Sequence, residues 1–165
     1  VQLTLPGVPD VYQGSEVDTP TLVDPDNRRP VDVEPIVARL ERLDSGAGPR
    51  DLSDEKLLVT SRALRVRRDL PEAFVGPDAG FVPLAHSSGH AVTYARTVAD
   101  EPRVAVVATR LAASVDRLGG WADHTVAIPP GTWRDALTGR VTDGGVTPVA
   151  GVLDRLPVAL LVRED

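Results

Sequence analysis

The densest group of side chains able to do chemistry lies between residues 10 and 32: Asp10, Tyr12, Gln13, Glu16, Asp18, Asp24, Asp26, Asn27, Arg28, Arg29 and Asp32. Sugar hydroxyls are small paired donors and acceptors. Asp, Asn, Gln and Arg side chains can meet them bidentately, and the face of a tyrosine can pack on the C–H side of a ring. The same residues also suit a solvated loop, in which Asp and Asn cap turns and pair with the two arginines. Residue type allows both readings, a polyol site and a braced surface loop.

Other chemistries are excluded or weak. The sequence has no cysteine, which removes disulfides, thiolate zinc sites and a cysteine nucleophile. His86, His90 and His124 are scattered, and the Ser-Ser-Gly-His run at 87–90 reads as a turn with no base or ligand partner beside it. No metal and no cofactor are expected. Glycine-rich phosphate-loop and dinucleotide spacings do not occur. Trp133 is expected in the core or in a hairpin, and Trp121, beside Gly119 and Gly120, as a loop anchor.

With 24 acids against 18 bases the net charge is −6, and no basic stripe marks a nucleic-acid binder. No apolar run approaches the roughly 18 residues of a membrane span, and no signal-peptide pattern opens the chain. The expected location is cytoplasmic. At 165 residues and 42% hydrophobic side chains the chain can bury roughly 70% of its unfolded surface. Lys56 is the only lysine, and there is no methionine, even at position 1. Val1 is therefore expected to be a cut end.

The elements that must position these residues divide near residue 73. Residues 1–5 (VQLTL) read as the tail of a short strand, ended by PGVPD at 6–10. The stretch 14–32 lacks periodicity and reads as a long ordered loop, a length usually tied to function. Asp32 is expected to cap a helix reaching Asp44, with Pro35 in its first turn and Ile36, Val37, Leu40 and Leu43 as its apolar stripe. Ser53 is expected to cap a second helix that stops before Pro71 and buries Leu57, Leu58, Ala63, Leu64 and Val66. Its arginines at 62, 65, 67 and 68 read as a solvated or packing face, with Asp69 and Glu72 as available partners. Beyond Phe74, short runs at 81–85, 90–96, 103–110, 124–128, 132–137, 139–142 and 157–163 suggest an antiparallel β-sandwich.

The segment LPGVPDVYQGSE (5–16) resembles the last barrel strand and following loop of the α-amylase superfamily, glycoside hydrolase family 13. LVDPDNRRPVD (22–32) is more particular and resembles the maltooligosyltrehalose synthase family, as do the helix at 53–69 with LPEAF after it and WRDALTG at 133–139. VDTPT at 17–21 departs from that pattern, where the family carries an aromatic-containing, less proline-rich segment. The resemblance implies an α+β fragment: the last strand, loop and helices of a (β/α)8 barrel over 1–72, followed by a β-sandwich C-terminal domain over 73–165. Barrels of this kind place their sites at the C-terminal ends of the strands. Tyr12, Gln13 and Glu16 would then border the cleft, while Asp24, Asp26, Asn27, Arg28 and Arg29 would shape or contact the acceptor side.

The resemblance further implies conversion of the reducing-end α-1,4 linkage of a maltooligosaccharide to an α,α-1,1 linkage, by intramolecular transglucosylation. A retaining mechanism needs a nucleophile and an acid about 5–5.5 Å apart. In this superfamily these carboxylates sit on earlier strands, so no catalytic residue is expected here and the fragment alone should be inactive. Implied partners are a maltooligosaccharide, the N-terminal barrel of the same chain and a trehalose-releasing hydrolase. Two alternatives are a free-standing non-catalytic β-sandwich binding module and a piece of another hydrolase or transferase of the superfamily.

Overall fold

A computed structural model of the chain describes residues 1–21 and 28–164. The element order is α1 (Glu34–Asp44), α2 (Leu52–Asp69), a 3-10 turn (Pro71–Ala73), β1 (Ala79–Pro83), β2 (Ala91–Val98), β3 (Glu101–Thr109), α3 (Ala112–Arg117), β4 (Thr125–Asp135), β5 (Val141–Pro148), α4 (Val149–Val152) and β6 (Val158–Glu164). Two compact units result: Pro9–Arg62, and Val1–Val8 with Ala63–Asp165. No helix among the described residues is long and apolar enough to cross a membrane.

In the larger unit the six strands are antiparallel and form one sheet in the order β1-β2-β3-β6-β4-β5. The expected sandwich of two sheets is thus corrected to a single sheet that folds over its own core. The cause is the Pro129-Pro130-Gly131 run inside β4. Prolines donate no ladder hydrogen bond and are confined to edges and bulges, and the register of β4 against β5 shifts between Ile128 and Thr132. Beyond the bulge Thr132–Asp135 pairs with β6, whereas Thr125–Ile128 pairs only with β5 and forms an isolated bridge from Val126 to His86. Val126 and Ile128 before the bulge, and Trp133 after it, enter one buried cluster with Ala105, Val107, Val149, Ala159 and Leu161. Trp133 is fully buried, as expected, and donates its indole N–H to the Pro129 carbonyl at 2.8 Å. Trp121 is half-buried against the same cluster.

The opposite face of the sheet carries the row Tyr94–Val106–Leu160. Tyr94 hydrogen-bonds Thr4 at 2.6 Å in the interior. Arg96, 2% exposed, donates to the carbonyls of Ala73 and Phe74. Arg67 of α2 and Arg96 of β2 both lie over the Phe74 ring, at 4.7 and 5.6 Å, so one of the four arginines on that face of α2 serves packing. Arg67 also donates to the carbonyls of Leu3 and Gly7.

Residues 1–5 are not a strand. The N–H groups of Thr4 and Leu5 both turn back to the Val1 carbonyl, at 2.9 and 3.0 Å. A strand needs a neighbouring ladder, and none is offered to this stretch among the described residues, so the N–H groups of Thr4 and Leu5 are satisfied locally. Helix starts also differ in detail from expectation. Asp32 accepts the Glu34 N–H at 3.3 Å, but Val33 occupies the cap of α1. Asp51, and not Ser53, receives the Asp54 N–H at the start of α2, at 2.8 Å. Of the stripe expected on α2, Leu57, Leu58 and Ala63 are buried, while Leu64 is exposed. The short helices α3 and α4 had no signal in the sequence, being only 6 and 4 residues long.

Candidate functional site

Within the smaller unit the loop ahead of α1 folds back on itself. Thr19 donates its hydroxyl to the Gly14 carbonyl at 2.8 Å, and Ser15 N–H closes a turn on the Tyr12 carbonyl at 2.9 Å. Gly14 is buried with φ +85°, and a Cβ placed on it would stand 2.9 Å from Val31 Cγ2. Only glycine combines that positive φ with so close an approach. The two arms of the loop therefore meet at Gly14 and Val31.

Between the arms and the two helices lies a cavity of about 530 Å³. Of the residues singled out by type, Tyr12, Gln13 and Arg29 line it, together with Asp18 and Asp32. Tyr12 is exposed. Asp10, Glu16 and Arg28 are not on the cavity wall; Asp10 and Arg28 are exposed and Glu16 is half-buried. Asp24, Asp26 and Asn27 lie outside the described residues. Three wall residues come from the helices and were not singled out: Arg39 on α1, and Ser53 and Lys56 on α2. The solitary lysine and the i, i+3 spacing of Ser53 and Lys56 are the signals in the sequence that could have found them.

The charge on this wall is largely spoken for. Arg39 Nη1 holds both oxygens of Asp51, at 2.9 and 3.0 Å, and Asp54 Oδ1 at 2.8 Å. Asp54 has no exposed side-chain surface, yet it also binds Arg42 and receives both the N–H and Nε of Arg50, at 2.9 and 3.0 Å. Burial alone would raise the Asp54 pKa. The hydrogen bonds from Arg50, then Arg39, and the charge of Arg42 outweigh it and hold the carboxyl well below the usual range. Asp54 stands in the first turn of α2, where an acid merely complements the helix dipole; the fold makes it the centre of the α1–α2 connection.

In the larger unit a second buried carboxylate has a purely architectural role. Asp135 Oδ1 accepts the N–H groups of Leu137 and Leu160, both at 3.1 Å, and Oδ2 accepts the Thr138 hydroxyl at 2.6 Å. It thereby closes the WRDALTG turn and ties it to β6. His124 Nδ1 lies 3.2 Å from the Ser87 hydroxyl. Among the described residues no group of three or more His, Asp or Glu is placed to hold a metal ion.

Comparison with known proteins gives the arrangement a context. No family profile matches the chain. The protein named "Putative maltooligosyl trehalose synthase" from Mycobacterium tuberculosis strain H37Rv is 43% identical over 167 residues, a match covering 99% of this chain. The same name and identity recur in strain CDC 1551. The solved maltooligosyltrehalose synthase of Arthrobacter ramosus superposes with a TM-score of 0.85 and 42% identity, again over 99% of this chain. Along its whole length, then, the chain is similar to part of a maltooligosyltrehalose synthase. It spans about a fifth of these relatives, 20% of the mycobacterial protein and 21% of the solved one. A glycosyltrehalose synthase structure at 21% identity and TM-score 0.69 shares the fold.

Proposed function

We propose that the chain is the C-terminal part of a maltooligosyltrehalose synthase, acting in trehalose biosynthesis. The complete enzyme converts the reducing-end α-1,4 linkage of a maltooligosaccharide to an α,α-1,1 linkage. The observation that carries this reading is the 42–43% identity to such synthases over 99% of the chain. In this assignment residues 1–72 close a (β/α)8 barrel and 73–165 form the domain that follows it. The catalytic carboxylates belong to the remainder of the enzyme, and the enzyme is cytoplasmic.

The chemistry asks two things of the polypeptide. A nucleophilic carboxylate displaces the terminal glucose and forms a glycosyl-enzyme, the acid partner giving its proton to the leaving oxygen. The released glucose must then turn so that its 1-OH, and not water, attacks the anomeric carbon. The base takes that proton back, and the new linkage is α,α-1,1. Retaining the acceptor and excluding solvent are therefore the specificity problem. We assign the loop of residues 10–32 to that task, with Tyr12, Gln13 and Arg29 on the cavity wall as contacts to sugar, and Glu16, Asp24, Asp26, Asn27 and Arg28 as the other residues proposed for the substrate. A neutral polyol suits a wall whose Arg39 is already engaged by Asp51 and Asp54.

The test is an assay of the complete enzyme with maltopentaose. Trehalose-ended product from the complete enzyme, and none from residues 1–165 alone, is the expected outcome. A complete enzyme that yields only shortened maltooligosaccharides and glucose would assign the chain to a hydrolase of the same superfamily.

A further inference from the structure

The peptide group joining Val17 to Asp18 is held at both ends by one face of α2. Its carbonyl accepts from Lys56 Nζ at 3.0 Å, and its N–H donates to Ser53 Oγ at 3.0 Å. Ser53 and Lys56 stand three residues apart on the helix and so project from the same face. The hold reaches the cavity wall through one further hydrogen bond. Thr19, next to the clamped peptide, donates to the carbonyl of Gly14, and Gly14 lies within the Tyr12–Ser15 turn that carries Tyr12 and Gln13. Lys56 and Ser53 themselves line the same cavity. Lys56 is the only lysine in the sequence.

We infer that Ser53 and Lys56 are positioning residues for the acceptor sugar: the clip fixes the loop so that Tyr12 and Gln13 hold released glucose in place. The inference rests on the function proposed above and adds to it two residues that act through the loop backbone. An unclipped loop would let the acceptor leave and water enter, so the partition between isomerisation and hydrolysis is the property that moves.

The experiment measures free glucose against trehalose-ended product from maltopentaose for the complete enzyme and its Lys56→Met, Lys56→Arg and Ser53→Ala variants, with melting temperatures alongside. Lys56→Met is expected to raise the glucose share about fivefold, the equilibrium weight of one hydrogen bond, with a melting temperature close to that of the unsubstituted enzyme. Ser53→Ala should move the ratio in the same direction. Lys56→Arg, which can still donate to the Val17 carbonyl, should restore it. If the unsubstituted enzyme makes trehalose-ended product and the Lys56→Met and Ser53→Ala variants keep its ratio, the clip has no positioning role. If the unsubstituted enzyme makes no such product, the proposed function fails and the inference with it.

Discussion

Asp54 and Arg50 are joined twice: the carboxylate of Asp54 accepts both the backbone N–H and the side-chain Nε of the residue four positions before it. With Arg39 and Arg42 arriving from α1, three guanidinium groups converge on one carboxylate that has no exposed side-chain surface. Removing it would leave three arginines facing each other. Because those arginines keep partial access to water, Asp54→Ala is expected to cost about 3 kcal/mol, the lower end for a broken buried pair. Urea unfolding followed by circular dichroism would measure it; a change below the noise of that titration would refute the assignment.

The same carboxylate sets an acid limit. Its pKa in the folded chain is depressed, so its contribution is fully present above the unfolded-state value of about 3.9 and is withdrawn as pH falls further. The expected result is a steep loss of stability below about pH 4 that is shallower in Asp54→Asn. Parallel pH profiles for the two proteins would show that Asp54 does not titrate with folding.

Gly144 faces the bulge of β4. A Cβ built there would stand 2.0 Å from the Pro129 carbonyl oxygen, a backbone atom that cannot step aside without opening the bulge. Gly144→Ala is expected to destabilise by about 1–3 kcal/mol, the usual penalty of overpacking. Gly89 has open space around it and an ordinary φ, so Gly89→Ala serves as the control and should leave the melting temperature nearly unchanged.

Asp135 satisfies two buried N–H groups and a hydroxyl in the β4–β5 turn and β6. Asp135→Ala strips all three donors of their acceptor, and each orphaned buried donor costs about 1–3 kcal/mol. Amide exchange at Leu137 and Leu160 should accelerate together in this variant. Independent behaviour of the two amides would argue against a single carboxylate linking them.

Phe74 is flanked by two cations, and Phe74→Leu keeps most of the apolar volume while removing both ring contacts. At about 0.5–1 kcal/mol for each cation over an aromatic face, the expected loss is about 1–2 kcal/mol, read by chemical denaturation. Arg67→Met in the Phe74→Leu background should then cost less than in the parent, because the pair is coupled through the ring.

Several features of the fold were legible in local sequence because local forces produce them. Pro35 marks a helix start and Pro71 a stop, and the strand-like runs read at 90–96, 103–110 and 157–163 fall within two or three residues of the observed strands Ala91–Val98, Glu101–Thr109 and Val158–Glu164. Trp133 as core follows from hydrophobicity alone. The constellation at 10–32 was likewise visible, and Tyr12, Gln13 and Arg29 do share one cavity. What local sequence could not decide is which groups are brought together from a distance. Whether VQLTL becomes a strand depends on a ladder partner that no local pattern supplies. Whether the strands make two sheets or one depends on the bulge at Pro129–Gly131 meeting Gly144, a long-range fit of backbone to backbone. Asp54 reads locally as a helix-start acid, and only the approach of α1 with Arg39 and Arg42 turns it into a buried hub. Ser53 reads locally as a helix cap and Lys56 as a lone lysine, and their joint hold on the loop exists only once the Val17–Asp18 peptide lies across them. Secondary structure is written in neighbours along the chain; a hydrogen bond between residues 35 or 39 positions apart exists only once tertiary packing has fixed both ends.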